Sequence, residues 1–250
     1  MDSPGRRTPP PSRDGGPGDR ARLWLLQARW AFQAPLALGR WLFGRVPLYR
    51  RNRSHGGEIH LPDEGRRLPG DPEHLQRVGD GVGPVYNRRY WIDVTDTDYG
   101  PEQLISAVCR QLDTLTPGEL ARFEGGLDPD DVRLDVGNEL VVRLPGPWDG
   151  PVRVIERTPT SFRLATLSGH VEAGEIEFRA CRTDRGFIRF EIESWARSAN
   201  PLVHVLYDRF GLAREMQTQM WAQLCNRVAR LSGGVVMSNV QIQTDKQELV

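Results

Sequence analysis

Lysine is almost missing from this chain of 250 residues: Lys246 is the one lysine among thirty-three basic residues, and the others are arginine. The bias reads as a coding preference and assigns no chemistry. Cysteine is scarce too. Cys109, Cys181 and Cys225 are odd in number and far apart. That spacing excludes a disulfide framework and a clustered zinc site, and leaves buried free thiols in a reducing compartment as the simpler reading. Long apolar runs are also absent. The longest uncharged stretch near the N-terminus, Trp30 to Gly39, is about ten residues, half of a membrane span. The twin arginine Arg6-Arg7 is followed by Thr8-Pro9-Pro10-Pro11 where an export signal needs an apolar segment, so a cytoplasmic location is expected. His55, His60, His74, His170 and His204 show no pairing at three or four residues. No metal ligand, cofactor or catalytic residue is assigned from them.

Charge balances to zero over the chain, but not along it. Residues 1–53 hold eleven arginines against Asp2, Asp14 and Asp19, a net of +8 that leaves −8 on the rest. A basic arm on an acidic body suits an acidic partner: a membrane surface, nucleic acid or the body itself. Residues 1–19 are rich in Pro, Gly, Ser and Arg, which predicts a disordered tail. Residues 20–45 carry Trp24, Leu25, Leu26, Trp30, Phe32, Leu36, Leu38, Trp41, Leu42 and Phe43 with Arg22, Arg29, Gln33 and Arg40 along one line. That is an amphipathic arm, fit to lie in a bilayer interface or to dock on its own domain. Nucleic acid is not expected, because no recognised binding fold accompanies it. Residues 46–78 read as a linker.

From residue 79 the pattern becomes orderly. Val85–Val94 predicts a first strand, and Gly100-Pro101-Glu102 opens a helix carrying Leu104, Ile105, Val108 and Leu112. Thr116-Pro117-Gly118-Glu119 has the form of a capping box and predicts a second short helix through Phe123. Strands are then expected over Glu139–Leu144, Val152–Arg157, Ser161–Leu167, Glu175–Thr183 and Phe187–Arg197, joined by short loops and so antiparallel. In the last of them Ile188, Phe190, Ile192, Ser194 and Ala196 share one face.

A long terminal helix follows Asn200-Pro201. Its apolar residues Leu206, Phe210, Ala213, Met216, Met220, Leu224, Val228 and Leu231 recur every three or four positions and make a stripe about 120° wide, ended by Gly233-Gly234. Residues 235–250 read as a polar tail. Gln217 falls inside the stripe, so it must find a hydrogen-bond partner, whether a ligand or a strand side chain. On the ligand reading, Gln217→Leu keeps stability and loses ligand.

Two motifs are discounted. Gly79-Asp80-Gly81-Val82-Gly83 precedes a strand, so it cannot aim a helix N-terminus at a phosphate. Asp93, Asp96 and Asp98 lack the closing acid of a calcium loop, whose place is taken by Ala107.

The element order, with Gly169-His170-Val171-Glu172-Ala173-Gly174-Glu175, Phe178 and the strand end Glu193-Ser194-Trp195-Ala196-Arg197, resembles the helix-grip SRPBCC superfamily (START-like proteins), in an uncharacterised bacterial branch of unknown function. The resemblance covers residues 79–234. It implies an α+β fold: a curved antiparallel sheet wrapped around a long C-terminal helix, with two short helices after the first strand. It also implies a cavity between sheet and helix for a small hydrophobic or amphipathic ligand. The expected lining is Phe178, Phe190, Ile192, Met216, Gln217, Met220 and Leu224. On this reading the protein is a binding module, with the arm a peripheral contact to the inner membrane face. Two alternatives stand beside it: an enzyme of the cyclase, hydratase or hydrolase type using His170 and Glu172, and an interaction subunit whose core its own side chains fill.

Overall fold

Alternating burial along successive segments builds one sheet. The computed structural model describes residues 48–54, 59–62, 74–118, 120–124, 134–143, 149–201 and 212–248. The tail 1–19, the arm 20–45 and residues 202–211 lie outside them, as does the side chain of Met216. The strands are β1 (Leu48–Ser54), β2 (Val82–Thr95), β3 (Arg122–Glu124), β4 (Glu139–Arg143), β5 (Asp149–Thr158), β6 (Ser161–Thr166), β7 (Glu172–Arg182), β8 (Ile188–Ser198), β9 (Val235–Val236) and β10 (Val240–Gln247). The helices are α1 (Pro101–Arg110), α2 (Leu112–Leu115) and α3 (Leu212–Leu231).

The spatial order is β1-β10-β2-β8-β7-β6-β5-β4-β3, with β9 on β2. All pairings are antiparallel except β1 on β10. Tyr90, Ile192, Phe178 and Phe162 sit opposite one another in a row across β2, β8, β7 and β6. All four are buried, and Phe162 stacks on Phe178 with ring centroids 4.6 Å apart. The curved sheet closes on α3, which lies over β2, β8 and β10, while α1 packs on β7. This is the helix-grip arrangement.

Three expectations need correction. The tail 235–250 is not a tail: β10 is inserted between β1 and β2, with Val240 and Ile242 buried. The stretch 46–78 is likewise more than a linker, since it supplies β1, and Ile59, Leu75 and Val78 are buried. Both segments have too few apolar residues to declare themselves locally, and their ladder partners are distant in sequence. The second short helix lies at Leu112–Leu115, not after Thr116. Thr116 Oγ1 donates to the Leu112 carbonyl, closing the preceding helix, and Phe123 is drawn into β3 opposite Val142. Arg227 of α3 donates to the carbonyls of Thr114, Leu115 and Thr116, so the end of α2 is capped by the terminal helix.

The apolar stripe of α3 is also wider than its large residues suggest. Ala222, Cys225 and Ala229 are fully buried beside Trp221, Leu224 and Val228. Small side chains there let the helix backbone approach the sheet closely.

The outer face of the same strands carries charge. Arg179 donates to Glu177, Glu191 and Glu193, Arg89 to Glu191, Arg163 to Glu175 and Glu177, and Arg189 to Asp93 through two nitrogens. Trp195 lies under Arg163 on this face and is covered by Ile59, Val78 and Val85. Cys181 is exposed on it, so only Cys109 and Cys225 fit the expected buried thiols.

Candidate functional site

Strand alternation on β2 sends Tyr86, Arg88, Tyr90, Ile92 and Val94 to the inner face. Four of these suit a core. Arg88 does not, yet its side chain is only 6% exposed. Its Nη1 donates to Gln217 Oε1 at 2.8 Å and stands 3.6 Å from Glu172 Oε1, and its guanidinium lies 4.9 Å over the Tyr86 ring. Gln217 completes the arrangement by donating Nε2 to Glu172 Oε2 at 2.9 Å. Three elements therefore meet in one polar cluster: Arg88 from β2, Glu172 from the start of β7 and Gln217 from α3. Burying an ion pair costs desolvation that the pairing repays only in part, so such a cluster is weak evidence for a purely stabilising role.

Glu172 is held by the turn before it. Gln76 Nε2 donates to the carbonyls of His170 and Glu172, and Thr166 Oγ1 donates to the Gln76 carbonyl. The His170 ring sits against Gly150 of β5, where a Cβ would stand 2.9 Å from Nε2. Burial lowers the His170 pKa below its ordinary value, with the Glu172 carboxylate acting in the opposite direction. In the neutral ring Nδ1 accepts from the Glu172 backbone N–H at 2.9 Å, which puts the proton on Nε2. The ring thus engages the backbone of Glu172, while its carboxylate serves Gln217 and Arg88. The structure brings the two predicted proton-transfer residues side by side without joining their functional groups.

Beneath the cluster lies Tyr90, fully buried. Burial raises its phenol pKa, against the lowering influence of Arg88. The Thr218 side chain beside its hydroxyl also lowers that pKa, and among the described residues no other polar atom reaches the hydroxyl at ordinary hydrogen-bond geometry. The indole Nε1–H of Trp221, one helical turn beyond Gln217 on α3, is likewise buried without an acceptor. Trp221 meets Phe178 edge to face at 5.6 Å. Gln219 Oε1 is a third buried atom without a partner, but it lies on another side of α3.

Of the residues expected to line a cavity, Phe178, Phe190, Ile192, Met220 and Leu224 lie buried in one apolar cluster. Gln217 lies at the edge of that cluster, bonded to strand side chains. Arg88, Tyr90 and Trp221 were not expected there as a polar set. The available signal was Arg88, a charge on the apolar phase of a strand. A surface depression of about 510 Å³ elsewhere is lined by Asp98, Tyr99, Glu102, Gln103, Ser106 and Arg110. Among the described residues, no three His, Cys, Asp or Glu side chains gather as for a metal ion, and no helix is long and apolar enough to cross a membrane.

The family described as "Domain of unknown function (DUF1990)" matches residues 100–227, just over half of the chain. The comparison with curated proteins gives no match. Among solved structures, norcoclaurine synthase from Thalictrum flavum is similar at 14% identity, over 67% of this chain and 98% of its own, with a TM-score of 0.42. A START superfamily protein from Mycobacterium smegmatis is similar at 12% identity, over 60% of this chain and 99% of its own, with a TM-score of 0.42. A conserved protein from Geobacillus kaustophilus gives 14%, 60%, 98% and 0.39. Scores this low carry nothing about ligand or reaction over to this chain.

Proposed function

The chain belongs to the DUF1990 family, and we propose that it binds a small apolar or amphipathic molecule between the sheet and α3. The polar end of that molecule is held at Tyr90 and Trp221, below Arg88, Gln217 and Glu172, and its apolar part lies along Phe178 and Met220. The observation that carries the reading is the pair of buried, unanswered groups, Tyr90 Oη and Trp221 Nε1, beside a buried charged cluster in an otherwise apolar interior. An unsatisfied buried donor costs about 1–3 kcal/mol, and two in one apolar cluster have a natural explanation in a ligand that answers them. Mass spectrometry of small molecules released by denaturing the purified full-length protein tests it. A single amphiphile released in stoichiometric amount supports binding, and release of nothing from a protein that also takes up no added amphiphile overturns it.

One observation favours a second reading, an interaction protein with a filled core. Phe162, Phe178 and Trp221 pack directly on one another in the interior, and Val235, Val236 and Met237, consecutive in sequence, are exposed. On that reading the same experiment releases nothing, and the partner contact maps to residues 235–237. The enzymatic reading has less behind it, because the His170 ring and the Glu172 carboxylate each bond elsewhere. The arm 20–45 keeps its proposed role as a peripheral anchor at an anionic membrane face. Cosedimentation with anionic vesicles that weakens with salt and with Arg29→Glu supports it, and binding indifferent to both contradicts it.

A further inference from the structure

The unanswered groups at this site are both hydrogen-bond donors, and the charges beside them are already matched. The indole Nε1–H of Trp221 can only donate. The Tyr90 hydroxyl can donate as well, and an acceptor placed between the two would satisfy both. Arg88 is faced by Glu172 and by the Gln217 carbonyl oxygen. A carboxylate or phosphate entering here would meet Glu172, and an ammonium would meet Arg88, so a charged head group of either sign is opposed at once. Resting on the binding reading above, we infer that the ligand is a neutral amphiphile whose uncharged oxygen, of a ketone, ester or alcohol, accepts hydrogen bonds from Tyr90 Oη–H and Trp221 Nε1–H. Both donors belong to one buried cluster, and Thr218 and Cys225, two turns of α3 that flank Trp221 in sequence, both act on the Tyr90 hydroxyl. The apolar body of such a molecule would lie against Phe178 and Met220, where a flexible methionine can repack around it. Sites that leave donors unpaired without their ligand reject analogues lacking the matching oxygen strongly.

The test uses the full chain and three probes of equal chain length at pH 7.5: decan-2-one, decanoate and decylammonium, followed by titration calorimetry. The expected order has decan-2-one binding at least tenfold more tightly than either ion. Tyr90→Phe should weaken decan-2-one by roughly fivefold, the scale of one hydrogen bond, and leave the thermal midpoint of the free protein unchanged or higher. That second readout separates a hydroxyl waiting for a ligand from one that holds the fold together. A lower midpoint in Tyr90→Phe shows an internal partner and overturns the inference. Decanoate binding as tightly as decan-2-one, with Arg88→Gln abolishing it, overturns the neutral class while the binding reading stands. Failure of all three probes, with nothing released on denaturation, removes the binding reading and the inference with it.

Discussion

On the outer face of the sheet Arg179 reaches three carboxylates, and Glu191 is answered by both Arg89 and Arg179. On the inner face Arg88 meets Glu172 at 3.6 Å, the Gln217 amide and the Tyr86 ring, while Tyr90 and Trp221 below keep unfilled donors. On the outer face Arg163 Nε lacks a hydrogen bond too, but it stands 3.8 Å from Glu156 Oε2 and the two other nitrogens of that guanidinium are bonded. The contrast is between charges that satisfy each other with redundancy and polar groups whose capacity is left over. In redundant pairs whose arginines stay 28% and 34% exposed, removing one cation leaves each carboxylate another partner and costs little stability. Leftover capacity in an apolar interior is costly, and the proposed ligand would answer it.

If that division is right, substitutions on the two faces should differ in size. Phe178→Ala removes the ring shared by Phe162 and Trp221, and chemical denaturation should show a loss of about 3–5 kcal/mol. Arg88→Ala leaves Glu172 and Gln217 without their cation and should cost about 3 kcal/mol, nearly independent of salt. Gln217→Leu should cost about 1–3 kcal/mol, because Gln217 bridges Arg88 and Glu172. This reverses the sequence expectation of unchanged stability. Arg179→Ala, the outer-face counterpart, should cost at most about 1 kcal/mol, and less in high salt. Equal losses for Arg88→Ala and Arg179→Ala would erase the distinction between the faces.

The smallest effect should come from pH. Burial holds the His170 pKa below its ordinary value, so the unfolded chain takes up a proton that the folded protein resists. Stability from this group is full above about pH 6.5, the unperturbed histidine value, and is lost as pH falls below it. Denaturation midpoints between pH 7 and 5.5 should therefore decline in the parent and decline less in His170→Gln. An identical slope in both would remove His170 from the account.

Much of this architecture was legible because it rests on local periodicity. The alternation of Ile188 to Ala196 and the spacing of Met220, Leu224 and Val228 each declare a buried face within a short window. What was hidden depends on distance in sequence. β10 pairs with β1 almost two hundred residues earlier, and its polar alternation resembles a tail until that partner is present. The burial of Ala222, Cys225 and Ala229 was missed because small residues mark close approach only when the facing strand is known. Thr116 begins a capping-box pattern but closes the helix behind it, since hydroxyls serve either helix end. At the site, Gln217 showed in sequence as a polar residue in an apolar stripe. Its partners Arg88 and Glu172, 129 and 45 residues away, needed the fold.

The inner-face claim is tested most directly by the indole N–H resonances in a nitrogen–proton correlation spectrum. Seven tryptophans give separable signals, and Trp221→Phe identifies one of them. Titration with decan-2-one should move the Trp221 indole signal downfield as its N–H gains an acceptor, while Trp91 and Trp195 on the outer face stay in place. A titration in which Trp221 remains fixed while the outer-face signals shift would contradict the account.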